Sequence, residues 1–211
     1  NKYDPGILDL DYFYSHPEKA WRVIKEIFYD FFGSAEPNQG HKGMAELQQL
    51  GLLDTIITQN IDNLHQEAGS NNVYEFHGNS RDLVCQKCGK RYRAHPQLLQ
   101  SLPPRCEKCE SVLKPDFIFF GEMIPQVAYQ KSMEEATHGE IFIVVGTTGE
   151  IMPASMIPQV AKENGLKIIE VNPNHSYFTQ SITDIFLQGK ATEVFPALLQ
   201  EIRSMPEVQK K

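Results

Sequence analysis

Apolar residues recur at helical spacing through Ala20, Trp21, Ile24, Ile27, Phe28 and Phe31, which predicts a helix with a broad aromatic stripe. Ser15 is placed to cap it, Pro17 suits its first turn, Glu18 completes a Ser-x-x-Glu pattern and Gly33 ends it. The stripe suits core packing, and the same face would also suit an apolar pocket. Further helices are predicted over 42–50 and 126–137, and strands over 55–58, 73–77 and 117–120. From residue 141 the pattern reads strand, helix, strand, strand, helix, over 141–145, 154–162, 167–171, 185–187 and 193–203. Short apolar runs alternating with amphipathic helices predict an α/β fold, a doubly wound parallel sheet covered on both faces.

Residues 81–114 interrupt that pattern and carry all four cysteines, as Cys85-x2-Cys88, seventeen residues, then Cys106-x2-Cys109. This spacing suits two knuckles whose thiolates converge on one zinc ion. Four thiolates close the tetrahedron and leave no position for water or substrate, so the metal is expected to be structural. Two disulfides are the alternative; they need an oxidising compartment, and the chain opens with no apolar signal segment. The expected domains are therefore 1–80 with 115–205, which carry the parallel sheet, and an inserted zinc-ribbon module at 81–114. Residues 206–211 would form a tail.

Composition narrows the partners. The 211-residue chain is 41% hydrophobic and 22% charged, with 27 acidic against 20 basic side chains and a net charge of −7. That balance disfavours a general binder of nucleic acid or anionic membrane. The longest apolar run, Ile141 to Val145, falls far short of the ~20 residues that span a bilayer. Residues 81–114 hold eight Lys or Arg against three Asp or Glu, which reads as a solvated face on a small module.

Doubly wound sheets bind ligands at the carboxyl ends of their strands. Gly146-Thr147-Thr148-Gly149, Val171-Asn172-Pro173 and Gly189-Lys190-Ala191-Thr192 fall at such ends. Each alone is ordinary turn chemistry; together they suggest a nucleotide site. A polar cluster, Thr58-Gln59-Asn60-Ile61-Asp62-Asn63-Leu64-His65, runs from a strand end into a predicted helix. Asn60 or Asp62 would also serve there as a simple helix cap. His77-Gly78 ends a strand just before the cysteine module, where the histidine is a candidate base.

Taken in order, these pieces resemble the sirtuins, NAD-dependent protein lysine deacylases. The matching segments are Pro37-Asn38-Gln39-Gly40-His41, Thr58-Gln59-Asn60-Ile61-Asp62-x-Leu64-His65-x-x-Ala68-Gly69, His77-Gly78 and the cysteine quartet. Lys114-Pro115-Asp116-Phe117-Ile118-Phe119-Phe120-Gly121-Glu122, Gly146-Thr147-Thr148 and Val171-Asn172-Pro173 follow. The resemblance implies a Rossmann-like NAD-binding domain over 1–80 and 115–205, a small zinc-binding lobe with a helical part near 10–50, and an enzyme that uses NAD to remove acyl groups from lysine in proteins or peptides. In such enzymes the acyl-lysine oxygen attacks C1′ of the nicotinamide ribose, nicotinamide leaves, and the acyl group ends on ADP-ribose. His77 would be the general base toward a ribose hydroxyl, a role that suits an unperturbed pKa of ~6.5. The resemblance places Ile61 and Asp62 in the nicotinamide pocket, with Gln59 and Asn60 orienting the ribose. It places Gly146, Thr147, Thr148 and Asn172 at the phosphates and adenosine ribose, and Lys190 or Ala191 near adenine. Ile118, Phe120, Gly121 and Glu122 fall on the edge that receives substrate as an added β-strand.

Several departures bear on these expectations. Sirtuins open with a Gly-Ala-Gly phosphate loop and a Phe-Arg pair, whereas this chain starts at Asn1-Lys2-Tyr3-Asp4-Pro5. The first sheet strand would go with them, so a segment preceding Asn1 is expected, and the 211 residues alone are expected to bind NAD poorly. Thr148 stands for a usual serine and Gly149 for a usual apolar residue. The Tyr-x-x-Arg pair of relatives that remove succinyl groups is absent from the helix carrying Ile24, Ile27, Phe28 and Phe31, which favours acetyl or longer uncharged acyl chains. Protein ADP-ribosyl transfer at the same NAD site, or a non-catalytic zinc-ribbon binding module, are the competing functions. Reduced cysteines suggest a cytoplasmic location, with nuclear or organellar ones left open, and neither a membrane nor a specific nucleic acid is an expected partner.

Overall fold

The computed structural model describes residues 3–30 and 34–205. The chain divides into two compact units, residues 1–36, 60–63 and 77–126 in one, and 37–59, 64–76 and 127–211 in the other. Residues 1–36 thus group with the cysteine module, while residues 37–59 group with the parallel strands.

In the first unit, α1 (Leu10–Ser15) is capped by Asp9, whose carboxylate accepts from the N–H groups of Asp11 and Tyr12 at 3.0 and 3.1 Å. Ser15 therefore closes α1 instead of capping the next helix. The cap position of α2 (Pro17–Ile24) is His16, with no side-chain hydrogen bond. The expected stripe holds through Ala20, Trp21 and Ile24, which are fully buried. A π turn then spans Lys25–Tyr29, with Asp30 N–H donating to the carbonyl of Lys25. The additional residue in that turn rotates the stripe, so Tyr29 is buried while Ile27 is exposed. Phe31 and Gly33 lie outside the described residues. An antiparallel sheet of order β4-β3-β5 completes the unit, from β3 (Gly78–Cys85), β4 (Arg91–Arg93) and β5 (Leu113–Phe117). The strand expected at 117–120 thus ends where it was expected to begin. The core joins Phe13, Trp21, Ile24 and Tyr29 to Leu83, Leu99, Leu113, Phe117 and Phe119, together with Cys85 and Cys106. The indole N–H of buried Trp21 donates to the carbonyl of Leu113 at 2.8 Å, tying α2 to β5.

In the second unit, β1 (Ile56–Thr58) pairs in parallel with β2 (Val73–Glu75), and β6 (Ile141–Val145), β7 (Lys167–Asn172) and β8 (Ile185–Gln188) form a parallel sheet with β7 central. Helix α3 (Gln39–Gln49) starts at a capping box: the side chain of Asn38 accepts from Gly40 and His41 N–H, and His41 Nδ1 accepts from Asn38 N–H. It begins three residues before the expected start because that box escapes a reading tuned to acidic or amide partners. Helices α4 (Leu64–Glu67), α5 (Gln126–Glu135, all but its first residue), α6 (Met156–Glu163) and α7 (Ala191–Ser204) complete the unit. Met44, Leu47, Ile56, Phe195 and Leu199 form a core in which α3 and α7 meet β1. Among the described residues, no helix is long and apolar enough to cross a membrane.

Candidate active site and zinc centre

The four sulfurs converge within 4.8 Å of one another. Cys85 and Cys109 lie 3.4 Å apart and Cys88 and Cys106 3.6 Å, and all four are free thiols. A disulfide holds its sulfurs at about 2.05 Å, whereas a zinc tetrahedron with ~2.3 Å bonds sets them about 3.8 Å apart. The spacing fits the ion and excludes the two-disulfide alternative in this structure. Burial pushes the Cys106 thiol up, but hydrogen bonds from the Tyr92 hydroxyl and from backbone N–H groups of Lys108 and Cys109 outweigh it, drawing the thiol down to about 6. Tyr92 Oη lies 3.1 Å from Cys106 Sγ and accepts from Glu107 N–H at 2.9 Å. Such donors favour the thiolate that a metal requires.

In the same unit, β3 anchors the candidate base and part of the polar cluster. His77 directly precedes the strand, and its carbonyl accepts from Ile118 N–H at 2.9 Å. Gly78 has φ +71, and a Cβ there would stand 2.1 Å from the carbonyl oxygen of Asp116, so only glycine lets the two strands approach at this point. Buried Ser80 then holds the carbonyl of Ile61 twice, by its N–H at 2.9 Å and its hydroxyl at 2.8 Å. Arg81 hydrogen-bonds the side-chain oxygen of Asn63, a residue with φ 69. Asn60 and Asp62 are exposed on the loop so fixed, with Asn60 Nδ2 donating to Asp62 Oδ2 at 3.3 Å. Ser80 and Arg81 went unread in the sequence; the signal available was the short polar run Asn79-Ser80-Arg81 directly after His77-Gly78.

The segment after β5 is organised by Lys114, only 2% exposed. Its ammonium donates to the carbonyls of Pro115 and Phe117 at 2.9 and 2.7 Å and pairs with Glu122 at 2.7 Å. It also lies 4.1 Å from the centroid of the Phe119 ring. Burial lowers the pKa of Lys114, and the hydrogen bond and charge of Glu122 oppose that shift. Glu122 also accepts from Phe119 N–H at 2.7 Å, so its carboxylate is committed to this clamp. Phe120 donates to the carbonyl of Leu8 at 2.8 Å and accepts from Leu10 N–H at 3.1 Å, so one edge of the segment is taken by the chain itself. Gly121 has no backbone hydrogen bond among the described residues, and the Phe120 side chain is 61% exposed.

The second unit holds the remaining candidates. Gln59 is exposed just beyond β1. The turn Gly146–Gly149 follows β6, with Gly146 and Thr148 exposed, and Thr147 Oγ1 accepts from Gly149 N–H at 3.2 Å. Asn172, at the end of β7, donates through Nδ2 to the carbonyl of Thr147 at 2.9 Å and accepts from Asn174 N–H at 3.4 Å. Its amide therefore shapes the turn. Exposed Lys190 caps α7, its N–H donating to Glu193 at 3.4 Å, and half-buried Ala191 opens the helix. Gly146–Thr148, Asn172, Lys190 and Ala191 thus share the carboxyl ends of β6, β7 and β8, as expected of a nucleotide-binding edge.

Comparison with known proteins gives the family. The model of the Sir2 family matches residues 2–153. NAD-dependent protein deacetylase 1 of Pyrobaculum aerophilum is 39% identical over 204 residues, which cover 96% of this chain and 80% of that protein. The NAD-dependent protein deacylase of Pyrococcus furiosus is 41% identical over 188 residues, covering 87% and 72%. Among solved structures, a Sir2 homologue in complex with NAD matches at a TM-score of 0.88 and 37% identity, covering 96% of this chain and 79% of that one. Sir2 bound to an acetylated peptide matches at 0.90 and 33%, covering 97% and 86%. With its zinc-ribbon thiols, its base candidate directly before β3 and its parallel-sheet edge, this chain belongs to the Sir2 family.

Proposed function

We propose that the protein is an NAD-dependent protein lysine deacylase that transfers the acyl group to ADP-ribose and releases nicotinamide. One observation carries this reading within the family: His77 leads directly into β3, which through Ser80 holds the carbonyl of Ile61 in the Ile61–Asp62 loop. NAD supplies a ribose carbon from which nicotinamide departs and a hydroxyl that receives the acyl group. His77 takes the proton from that hydroxyl, and a backbone fixed by Gly78 and Ile118 keeps its ring in place for the transfer. Asp62 accepts from the carboxamide of nicotinamide beside Ile61, while Gln59 and Asn60 orient the ribose. Thr147 and Thr148 offer hydroxyls to phosphate and ribose, Asn172 acts by shaping their turn, and Lys190 and Ala191 border the adenine. Zinc, held by Cys85, Cys88, Cys106 and Cys109, folds the ribbon and takes no part in the reaction.

The substrate is an acylated lysine in a protein or peptide, whose backbone pairs with the edge left at Gly121. Glu122 contributes by holding that segment in shape, as does Ile118 through its bond to His77. Exposed Ile27 and half-buried Phe28 offer an apolar surface, in keeping with acetyl or longer uncharged acyl groups. Four thiols kept reduced for a metal suit a cytoplasmic location. The test is to incubate the full-length protein with radiolabelled NAD and acetyl-lysine peptide and follow the label. Its appearance in O-acetyl-ADP-ribose supports the reading; label on protein would point to ADP-ribosyl transfer. Succinyl peptide turned over as fast as acetyl peptide would refute the acyl preference.

A further inference from the structure

Glu170 stands in the middle of the central strand β7 with no exposure to solvent. A buried carboxylate is costly unless hydrogen-bonded, and a leucine would fill such a position at lower cost. Its Oε2 accepts from the hydroxyls of Thr179 at 2.9 Å and Thr183 at 2.8 Å, and its Oε1 has no partner among the described residues. Both threonines belong to the loop 173–184 between β7 and β8, which has no helix or strand of its own. Thr179 also accepts from Ser176 N–H at 2.8 Å, and the Ser176 hydroxyl accepts from Phe178 N–H at 3.0 Å. The carboxylate thus fixes the stretch 176–179 from beneath.

That stretch supports the turn after β6. Tyr177 N–H donates to the carbonyl of Thr148 at 2.9 Å. The ring of Phe178, 1% exposed, lies against Gly149, where a Cβ would stand 2.7 Å from it at a φ of +79. The departure at Gly149 therefore makes room for Phe178. The contacts run from Glu170 through Thr179 to Tyr177 and Phe178, and so to Gly146–Gly149. We infer that Glu170 is a positioning residue for the nucleotide: by clasping Thr179 and Thr183 it holds the loop that sets the Thr147–Thr148 turn. This rests on the reading that the turn receives NAD.

Two measurements on the full-length protein test it: the affinity for ADP-ribose by calorimetry, and amide hydrogen exchange at Tyr177 and Gly149. Glu170→Leu is expected to weaken ADP-ribose binding about tenfold, as loss of two buried hydrogen bonds implies, and to speed exchange at those two amides. Glu170→Gln, whose amide oxygen still accepts from both threonines, stays within about twofold of the wild type. Should Glu170→Leu fail to fold, Thr179→Val with Thr183→Val removes the donors at nearly constant volume and carries the same expectation. Unchanged affinity in either variant beside a binding wild type would overturn the inference alone. So would faster exchange throughout α3 and α7, which marks general loosening. A wild type that does not bind ADP-ribose would overturn the NAD reading and this inference with it.

Discussion

At the scale of single residues, position and backbone shape decide more than side-chain identity. Gly78→Ala drives a Cβ against the Asp116 carbonyl at a φ of +71 and is expected to cost about 3 kcal/mol or more. Thermal unfolding reads this; an unchanged Tm would contradict the account of the β3–β5 approach. Ser80→Ala removes one of the two bonds to the Ile61 carbonyl. The loss of about 1 kcal/mol should weaken nicotinamide inhibition about fivefold, with Ser80→Thr restoring it; equal inhibition constants would contradict the proposed nicotinamide role of the Ile61–Asp62 loop. The sequence made His77-Gly78 and Asn60–Asp62 visible because they form a familiar ordered pattern. Ser80 and Glu170 were not visible, because their roles depend on which face of a strand turns inward and on what packs there.

At the scale of elements, two charged groups fasten otherwise irregular segments. Lys114→Met leaves the Glu122 carboxylate without its cation, which costs about 3 kcal/mol in a buried pair, and frees the 117–122 segment. The KM for acyl peptide should rise about tenfold while that for NAD stays within about twofold; equal rises in both would argue against a substrate-edge role. Asp184 pairs with Lys162 at 2.6 Å and accepts from Ile168 N–H at 2.8 Å, and these partners hold its carboxyl below the ordinary 3.8. Since the folded value lies below the unfolded one, this stabilisation is present above pH 3.8 and is lost as pH falls through the folded value. Asp184→Asn should therefore lower the Tm at pH 7 and approach the wild type in acid; a constant difference would contradict the pairing. The strand 141–145 was legible to the residue because an unbroken short run of β-branched and aromatic residues has few alternatives. The helix after residue 16 was half legible: a π turn shifts the periodicity that its prediction depended on. β3 and β4 were missed because their short, charge-rich runs are organised by the cysteine centre and carry little alternation of their own.

At the scale of the whole molecule, metal and enzyme chemistry have separate tests. Trp21, the only tryptophan, is fully buried in the core that contains Cys85 and Cys106. A structural zinc contributes on the order of 10 kcal/mol to folding, so chelation should expose Trp21 and red-shift its fluorescence. Loss of zinc with unchanged emission would contradict a structural metal. The α/β plan was legible in the alternation after residue 141, but the grouping of residues 37–50 with the parallel strands was not, since the bounds of a unit depend on contacts far apart in sequence. The central claim, a deacylase whose base is His77, is tested most directly by assaying wild type and His77→Ala side by side with acetyl-lysine peptide and NAD, quantifying deacetylated peptide, nicotinamide and O-acetyl-ADP-ribose. The account predicts the three products in equal amounts from the wild type, and loss of at least about a hundredfold in deacetylation rate from a folded His77→Ala protein. Deacetylation by that variant at the wild-type rate, or by the wild type without NAD, would contradict it.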